Sequence, residues 1–501
     1  MHLIGLDVGT TGCKAIVFSP DGRALGHGFR EYDVICREPA MAEQDAETVW
    51  NLTCEVLKEA VAQSGVNDLA ALSVSVQGDA VIPVDHEFHA LHPAILGMDY
   101  RSQRQAQECE EKCGAFELFQ STGMRSHPMN SVTKVLLLRD LAPAAFARAW
   151  KFVTYADFIL GKLGAEAVID HTMASRTMAF DLATRQWSGE ILTPLGLDAS
   201  RFSKPVVSGT PVGTIRKELA RELGLPATLV LVAGGHDQTC AAIGAGVVRE
   251  HLGVVSTGTA EVLSTAFHSP ALTRPMFDSF YPCYLHAKEG MFFTFALNHV
   301  GGILLKWYRD NFGLPEVGEA RGRGCDPYQL IDAKLPPGPS RLMVVPHLNG
   351  SGTPWCDLQA KGAIVGLTMA STRHDVAKAI LEGLTFELLI NLQKMQQCGI
   401  RVDELVAAGG GAKSALWLQL KADILGRPIH TLRCRESACL GAALLAGTAT
   451  GVYRSLDDAV QQTVACEREF APNAEMAARY RERFATYEKL YPALRPINPE
   501  L

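Results

Sequence analysis

Leu3-Ile4-Gly5-Leu6-Asp7-Val8-Gly9-Thr10-Thr11-Gly12-Cys13-Lys14-Ala15-Ile16-Val17-Phe18 reads as two short apolar arms joined by a turn of Gly, Thr and Asp. The arms run from Leu3 to Leu6 and from Ala15 to Phe18, so the stretch is expected to be a β-hairpin, with Gly9 and Gly12 supplying positive-φ backbone at its tip. Amides and the hydroxyls of Thr10 and Thr11, turned to one side of a glycine-kinked loop, suit phosphate oxygens. Asp7 beside them would repel phosphate unless a cation intervened, which points to Mg²⁺ held directly or through water. Taken alone, such a tip is more often just an ordinary turn.

A second copy strengthens the reading. His251-Leu252-Gly253-Val254-Val255-Ser256-Thr257-Gly258-Thr259-Ala260-Glu261-Val262-Leu263-Ser264 repeats strand, Ser/Thr-Gly-Thr tip and strand, and Gly258 lies 249 positions after Gly9 in a chain of 501. Two similar lobes follow, residues 1–247 and 248–501, each offering a hairpin to a nucleotide between them. The length independently calls for more than one core.

Composition narrows the classes. An apolar fraction of 47% with 20% charged residues is that of a globular chain, and a net charge of −7 argues against a nucleic-acid footprint. No stretch is apolar enough to span a bilayer and no leader-like N-terminus is seen, so the expected location is cytoplasmic, with no membrane partner. The thirteen cysteines are scattered without C-x₂-C pairs and are expected to be reduced.

Along the first half, Asp45 is a plausible N-cap for a helix to Gln63, and Leu69 to Val76 is a buried strand ending in Gln77-Gly78-Asp79. Ligands of α/β sheets gather at such carboxyl ends. A second polar cluster, Gly97-Met98-Asp99-Tyr100-Arg101, follows a short strand. Asp79, Asp99 and Arg101 are each readable as solvated charges, and together as hydrogen-bonding groups for a polyhydroxylated ligand. Gly123 to Met129 is a loop, and a helix carrying Lys134 starts at Ser131. Residues 140–216 contain no motif that can be interpreted. Thr228 to Ala233 is a continuous apolar strand running into Gly234-Gly235-His236-Asp237-Gln238, where two glycines are expected to turn the chain tightly. Asp237 is either a simple N-cap or a carboxylate that accepts a proton from a substrate hydroxyl during phosphoryl transfer.

In the second half, Gly301-Gly302 opens a helix and is expected to let a ligand approach. Thr372-Arg373-His374-Asp375 is a capping-box pattern. Gly409-Gly410-Gly411-Ala412 follows a strand and is expected to form a flat surface for a base or ribose. Neither G-x-x-x-x-G-K-[ST] nor a complete G-x-G-x-x-G motif occurs, which disfavours P-loop and Rossmann folds.

The chain resembles the FGGY carbohydrate kinases over nearly its whole length. Asp7-Val8-Gly9-Thr10-Thr11 is similar to the family's first phosphate motif, Ser256-Thr257-Gly258-Thr259 to its second, and Gly409-Gly410-Gly411-Ala412 to its adenosine motif. Gly362 to Leu367 with Asp375 to Glu382 follows its C-terminal signature, and Asp237 stands where the family carries its catalytic aspartate. The resemblance implies two actin-like (ribonuclease H-like) α/β ATPase domains that close on Mg²⁺-ATP and a sugar.

The expected roles are then Asp237 catalytic and Asp7 on the metal. Gln77, Asp79, Asp99, Arg101, Met129 and Gln238 are expected on the substrate, and Thr10, Thr11, Lys14, Gly258, Thr259, Gly302, Gly410, Gly411 and Ala412 on the nucleotide. Xylulokinases usually carry Gln-Met-His where this chain has Gln77-Gly78-Asp79, and several members have Trp at the position of Gly97, which here is expected to leave room. The expected acceptor is a small sugar, first a ketopentose such as xylulose. Gluconate, glycerol or an erythritol-type polyol stay open, as do a non-catalytic sugar sensor, an actin-like filament protein and a homodimer.

Overall fold

The computed structural model describes residues 1–500. Its first sheet contains β1 (His2–Val8), β2 (Gly12–Phe18), β3 (Ala24–Glu31), β4 (Leu69–Val76), β5 (Pro211–Thr214) and β6 (Val230–His236), in the order β3-β2-β1-β4-β6-β5. β1 and β2 form the antiparallel hairpin read from the sequence, with Asp7 opposite Lys14 and Val8 opposite Cys13. β1, β4 and β6 are parallel neighbours. Helix α1 (Ala46–Ser64) starts at Asp45, whose carboxylate accepts from the amides of Glu47 and Thr48, and stops at Gly65 in the left-handed region.

The second sheet holds β7 (His251–Thr257), β8 (Glu261–Phe267), β9 (Phe292–Asn298), β10 (Val402–Gly409), β11 (Ile429–Leu432) and β12 (Cys466–Phe470). Its order is β9-β8-β7-β10-β11-β12, with Tyr284–Leu285 added at the β9 edge. β7-β8 is again a hairpin, and β7, β10 and β11 are parallel. The two sheets therefore share six strands in the same order and with the same directions.

Helices α2 (Ser131–Leu141), α3 (His171–Arg176) and α4 (Asp237–Gly244) serve the first lobe, and α5 (Gly302–Phe312), α6 (Arg373–Gln397) and α7 (Ala415–Leu425) the second. The Thr372/Asp375 capping box opens α6, and its Ile380, Leu384, Leu388, Leu392 and Met395 are buried. Helix α8 (Ser437–Ala449) follows β11 in sequence yet packs on β1 and β4 beside α4. This crossing is backbone on backbone. A Cβ at Gly5 would lie 1.8 Å from the Cys439 carbonyl oxygen, one at Gly244 1.9 Å from that of Ser437, and one at Gly441 1.9 Å from that of Cys240.

Two glycine expectations need correction. Gly9 and Gly12 do not adopt positive φ. Gly12 is required for a different reason, since a Cβ there would sit 2.8 Å from the Arg30 carbonyl oxygen. Gly234 and Gly235 form no turn; they lie inside β6, where a Cβ at Gly234 would strike the Val74 carbonyl oxygen at 1.6 Å. All thirteen cysteines are free.

Candidate active site

Three parallel strands, β1, β4 and β6, end side by side and deliver Asp7, Asp79 and Asp237 to one carboxyl edge. Neighbouring strands are about 4.8 Å apart, so Asp7 and Asp237, with β4 between them, stand roughly 10 Å apart along the sheet. Ser75 Oγ donates to Asp7 Oδ1 at 2.6 Å. Burial pushes the Asp7 carboxyl upward, against the Ser75 hydrogen bond and the charge of Lys14. Asp237 begins α4 with a third of its side chain exposed and its Oδ1 enclosed, 3.2 Å from His236 Nε2. Enclosure by protein and the negative charge of Asp7 push its pKa up to about 7, with Arg176 opposing. A carboxyl poised there can hold or take a proton near neutrality. His236 is buried and its pKa lies well below the ordinary value, so the ring facing Asp237 is neutral.

The tip of the first hairpin is braced from beneath. Gly9 N–H donates to the Gly12 carbonyl at 3.0 Å, while Tyr32 Oη (2.6 Å) and Gln77 Nε2 (3.1 Å) both donate to the Gly9 carbonyl. Gln77 also donates to Gln44 Oε1 at 3.0 Å, so its buried amide supports the loop. Its Oε1 takes no part in those bonds. Thr11 is exposed and Thr10 partly so. Lys14 is paired with Glu436 at 2.6 Å, linking the hairpin to the start of α8.

The second tip is built on glycine for space. Nothing lies within 4 Å of a Cβ placed on Gly258, and Thr259 is exposed beside it. Gly302 N–H donates to the Gly258 carbonyl at 2.7 Å and Gly301 N–H to that of Thr259 at 2.8 Å. A Cβ on Gly302 would come 2.7 Å from the Gly258 oxygen, so the glycine pair lets α5 dock on the tip. Thr257, Gly258, Gly302, Tyr308, Tyr328, Asp332, Gly410, Gly411 and Trp417 line a cavity of 390 Å³. Ala412 faces a neighbouring cavity of 340 Å³. Beneath the tip, the buried Lys421 on α7 donates to Thr257 Oγ1 at 2.9 Å and to Glu261, with its ammonium over the Trp417 ring.

Asp99 and Arg101 do not reach the cleft. Asp99 is fully buried and its oxygens accept from Ala42 N–H, Arg101 N–H and the Arg101 guanidinium, which also binds Glu43. The pair is an internal brace, which corrects the expectation that it binds sugar hydroxyls. Gly97 leaves no empty space either, because a Cβ there would stand 3.0 Å from the Gly78 carbonyl oxygen.

Asp79 is different. Its backbone is left-handed, φ 67°, a conformation Asp tolerates better than most residues and one that clusters at functional sites. Its Oδ2 accepts from Arg176 Nη2 at 2.5 Å. Arg176 also approaches Met129 Sδ at 3.8 Å, and with Tyr100, Arg125, His127, Met129 and His299 it lines a further cavity of 190 Å³. The 127–129 loop there is fastened by buried Lys134, which donates to the carbonyls of Pro128 and Met129 and whose pKa burial lowers to about 7. Gln238 follows Asp237 in the first turn of α4. Sequence reasoning missed Arg176, which lies in the uninterpreted 140–216 stretch. It also missed Lys421, although a lysine in the apolar run Ala415 to Leu425 is a signal that could have been used.

Two matching lobes, each with a Gly-Thr hairpin tip and one with acids at its strand ends, suit the transfer of a phosphoryl group. The N-terminal domain profile of the FGGY family of carbohydrate kinases matches residues 2–244 and its C-terminal domain profile residues 253–450. The chain belongs to this family and is a sugar kinase, transferring phosphate to an alcohol group. It is 28% identical over 502 residues to the xylulose kinase of Bacillus subtilis strain 168, covering 100% of this chain and 98% of that one. It is 27% identical over 507 residues to the gluconokinase of Bacillus licheniformis, covering 98% and 96%. The ligand-bound xylulose kinase structure from Lactobacillus acidophilus superposes with a TM-score of 0.89 at 26% identity, covering 99% of this chain and 98% of that one. Sugar kinases of this family use ATP. Among the described residues no helix is long and apolar enough to cross a membrane.

Proposed function

We propose that this kinase transfers the γ-phosphate of ATP to a primary hydroxyl of a small sugar, first a ketopentose such as xylulose, with Asp237 as the base that takes the hydroxyl proton. The observation that carries the assignment is the Asp237 carboxyl: it starts a helix at the strand-end edge, is open on one side, and is held near neutral pKa by enclosure and by Asp7. Thr10, Thr11, Gly258 and Thr259 hold the phosphates, and Gly302, Gly410, Gly411 and Ala412 the rest of the nucleotide. Lys14 joins them by exchanging Glu436 for a phosphate oxygen.

Asp7 fits a divalent cation. Its carboxyl is raised by burial and itself raises Asp237, a repulsion that a cation beside Asp7 would relieve. Bound Mg²⁺ would neutralise charge on the transferring phosphoryl group. The residue-level chemistry is positioning: the hairpin tips fix the triphosphate while Asp237 orients and deprotonates the acceptor.

The test is ADP release from Mg²⁺-ATP with D-xylulose, xylitol, erythritol, glycerol and D-gluconate, with and without excess chelator. The expected result is highest kcat/KM for D-xylulose, abolished by the chelator. Saturable sugar binding with no ADP release for any acceptor would convert the assignment to a sensor.

A further inference from the structure

We infer that Asp79 and Arg176 form a clamp for neighbouring hydroxyls of a neutral acceptor, making Arg176 a specificity-determining residue that selects sugars and polyols against sugar acids. This deepens the kinase assignment and rests on it. The two side chains are 4% and 3% exposed and joined by one contact, Nη2 to Oδ2. Among the described residues, Asp79 Oδ1 and Arg176 Nε and Nη1 are buried without any hydrogen-bond partner. Leaving a buried polar atom unpaired costs about 1–3 kcal/mol, more for charged groups, so three such atoms in one pair mark a place where something else binds.

The surroundings show where that ligand sits. Arg176 lines the 190 Å³ cavity with Met129, Tyr100 and His127, and its guanidinium is flanked by the Tyr284 and Phe295 rings at 5.3 and 5.5 Å. Those rings fix its plane and supply no acceptor in that plane. The left-handed backbone at Asp79 and the glycine at position 78, where a Cβ would approach His236 Nε2 to 2.7 Å, hold the carboxylate in place.

The chemistry of the free atoms selects the ligand. The pair leaves one acceptor and two donors unmatched. A hydroxyl donates and accepts at once, so neighbouring hydroxyls can give a proton to the carboxylate oxygen and accept one from the guanidinium. A carboxylate only accepts; it would pair with Arg176 and leave its negative charge against Asp79 Oδ1 in an enclosed site, where like charges repel strongly. Arg125, the other arginine of the cavity, is stacked on Phe277 and Phe280 and donates to the Phe277 carbonyl at 2.8 Å, so it offers a sugar acid little compensation.

Matched pairs that differ only at one terminus provide the test: xylitol against D-xylonate, and D-glucitol against D-gluconate, with D-xylulose as reference. Two readouts are taken, ligand-induced rise in melting temperature and ADP release. Saturable stabilisation by the neutral member of each pair, at least about tenfold tighter than by its acid, is expected. Arg176→Lys and Asp79→Asn should raise KM for D-xylulose by about 10- to 100-fold while the KM for ATP stays within about twofold. A purely structural pair would instead lower melting temperature and kcat with both KM values unmoved, which overturns the clamp. Stabilisation without ADP release breaks the kinase assignment and keeps the clamp. ADP release driven by D-gluconate in preference to neutral acceptors, or no response to any neutral ligand, overturns the clamp, and because this uses the wild-type chain it decides the matter even if a variant fails to fold.

Discussion

The two lobes share a sheet of six strands in one order, yet their strand ends carry opposite chemistry. In the first lobe β4 runs into Gln77-Gly78-Asp79 and β6 into His236-Asp237; in the second, β10 at the place of β4 runs into Gly409-Gly410-Gly411. The carboxylates that stand directly at the ends of the parallel strands are thus those of the first half. The other half presents bare backbone at that strand end, in a cavity walled by Tyr308, Tyr328 and Trp417 with Asp326 and Asp332. Repeating a scaffold fixes where a ligand meets it, and the residues at the strand ends decide which ligand.

The largest effect that would break this division is at Asp237. Asp237→Asn should lower kcat by about 10²- to 10⁴-fold with little change in the KM for ATP, measured by ADP release with the wild type's best acceptor. An unchanged kcat would remove the base from the first lobe. In the wild type kcat/KM should rise with pH through about 7 as Asp237 loses its proton, and the variant should lack that limb. Stability moves the other way. Because the folded state raises this carboxyl from 3.8 to about 7, its contribution is present at acid pH and is lost as pH rises through about 7. Asp237→Asn should therefore melt higher than wild type at pH 8, a trade of activity against stability.

An intermediate effect sharpens the second lobe's part. A Cβ on Gly411 would come 2.6 Å from Thr257 Cβ, beneath the second tip. Gly411→Val should raise the KM for ATP by about tenfold or more and leave the KM for the acceptor nearly unchanged, as read by initial rates with each substrate varied. Equal movement of both constants would show that the two binding surfaces are not separate.

The smallest effect tests the bridge between lobes. Lys14 and Glu436 are 31% and 45% exposed, so their pair contributes about 1 kcal/mol at most. Glu436→Gln should shift thermal stability by only a degree or two while lowering the KM for ATP, because it frees Lys14. A raised KM for ATP would mean that the lysine never leaves its partner.

Much of this was legible in the chain because it is local. The hairpins follow from apolar arms around Gly-Thr tips, β4 was read to the residue as Leu69–Val76, and the Asp45 and Thr372/Asp375 caps need only neighbours in sequence. The family resemblance supplied the lobe architecture and the place of Asp237. What escaped is set by packing. Asp99 and Asp79 both follow a strand, and only the Ala42 and Arg101 contacts show that the first is sealed. Arg176 meets Asp79 across 97 positions, from a short helix with no motif of its own. The glycines at 12, 234 and 302 were rightly singled out, but each is small because another backbone passes it.

The same close passage at Gly5, Gly244 and Gly441 has a mechanical consequence. α4 and α8 meet main chain to main chain at Gly244 and Gly441, with Cys240, Ile243, Leu440, Ala443 and Leu444 packed around that contact, and α8 meets β1 in the same way at Gly5. This seam ties α8, which follows β11 of the second sheet, to the sheet that ends in Asp237, and one added methyl at any of the three positions would force it apart.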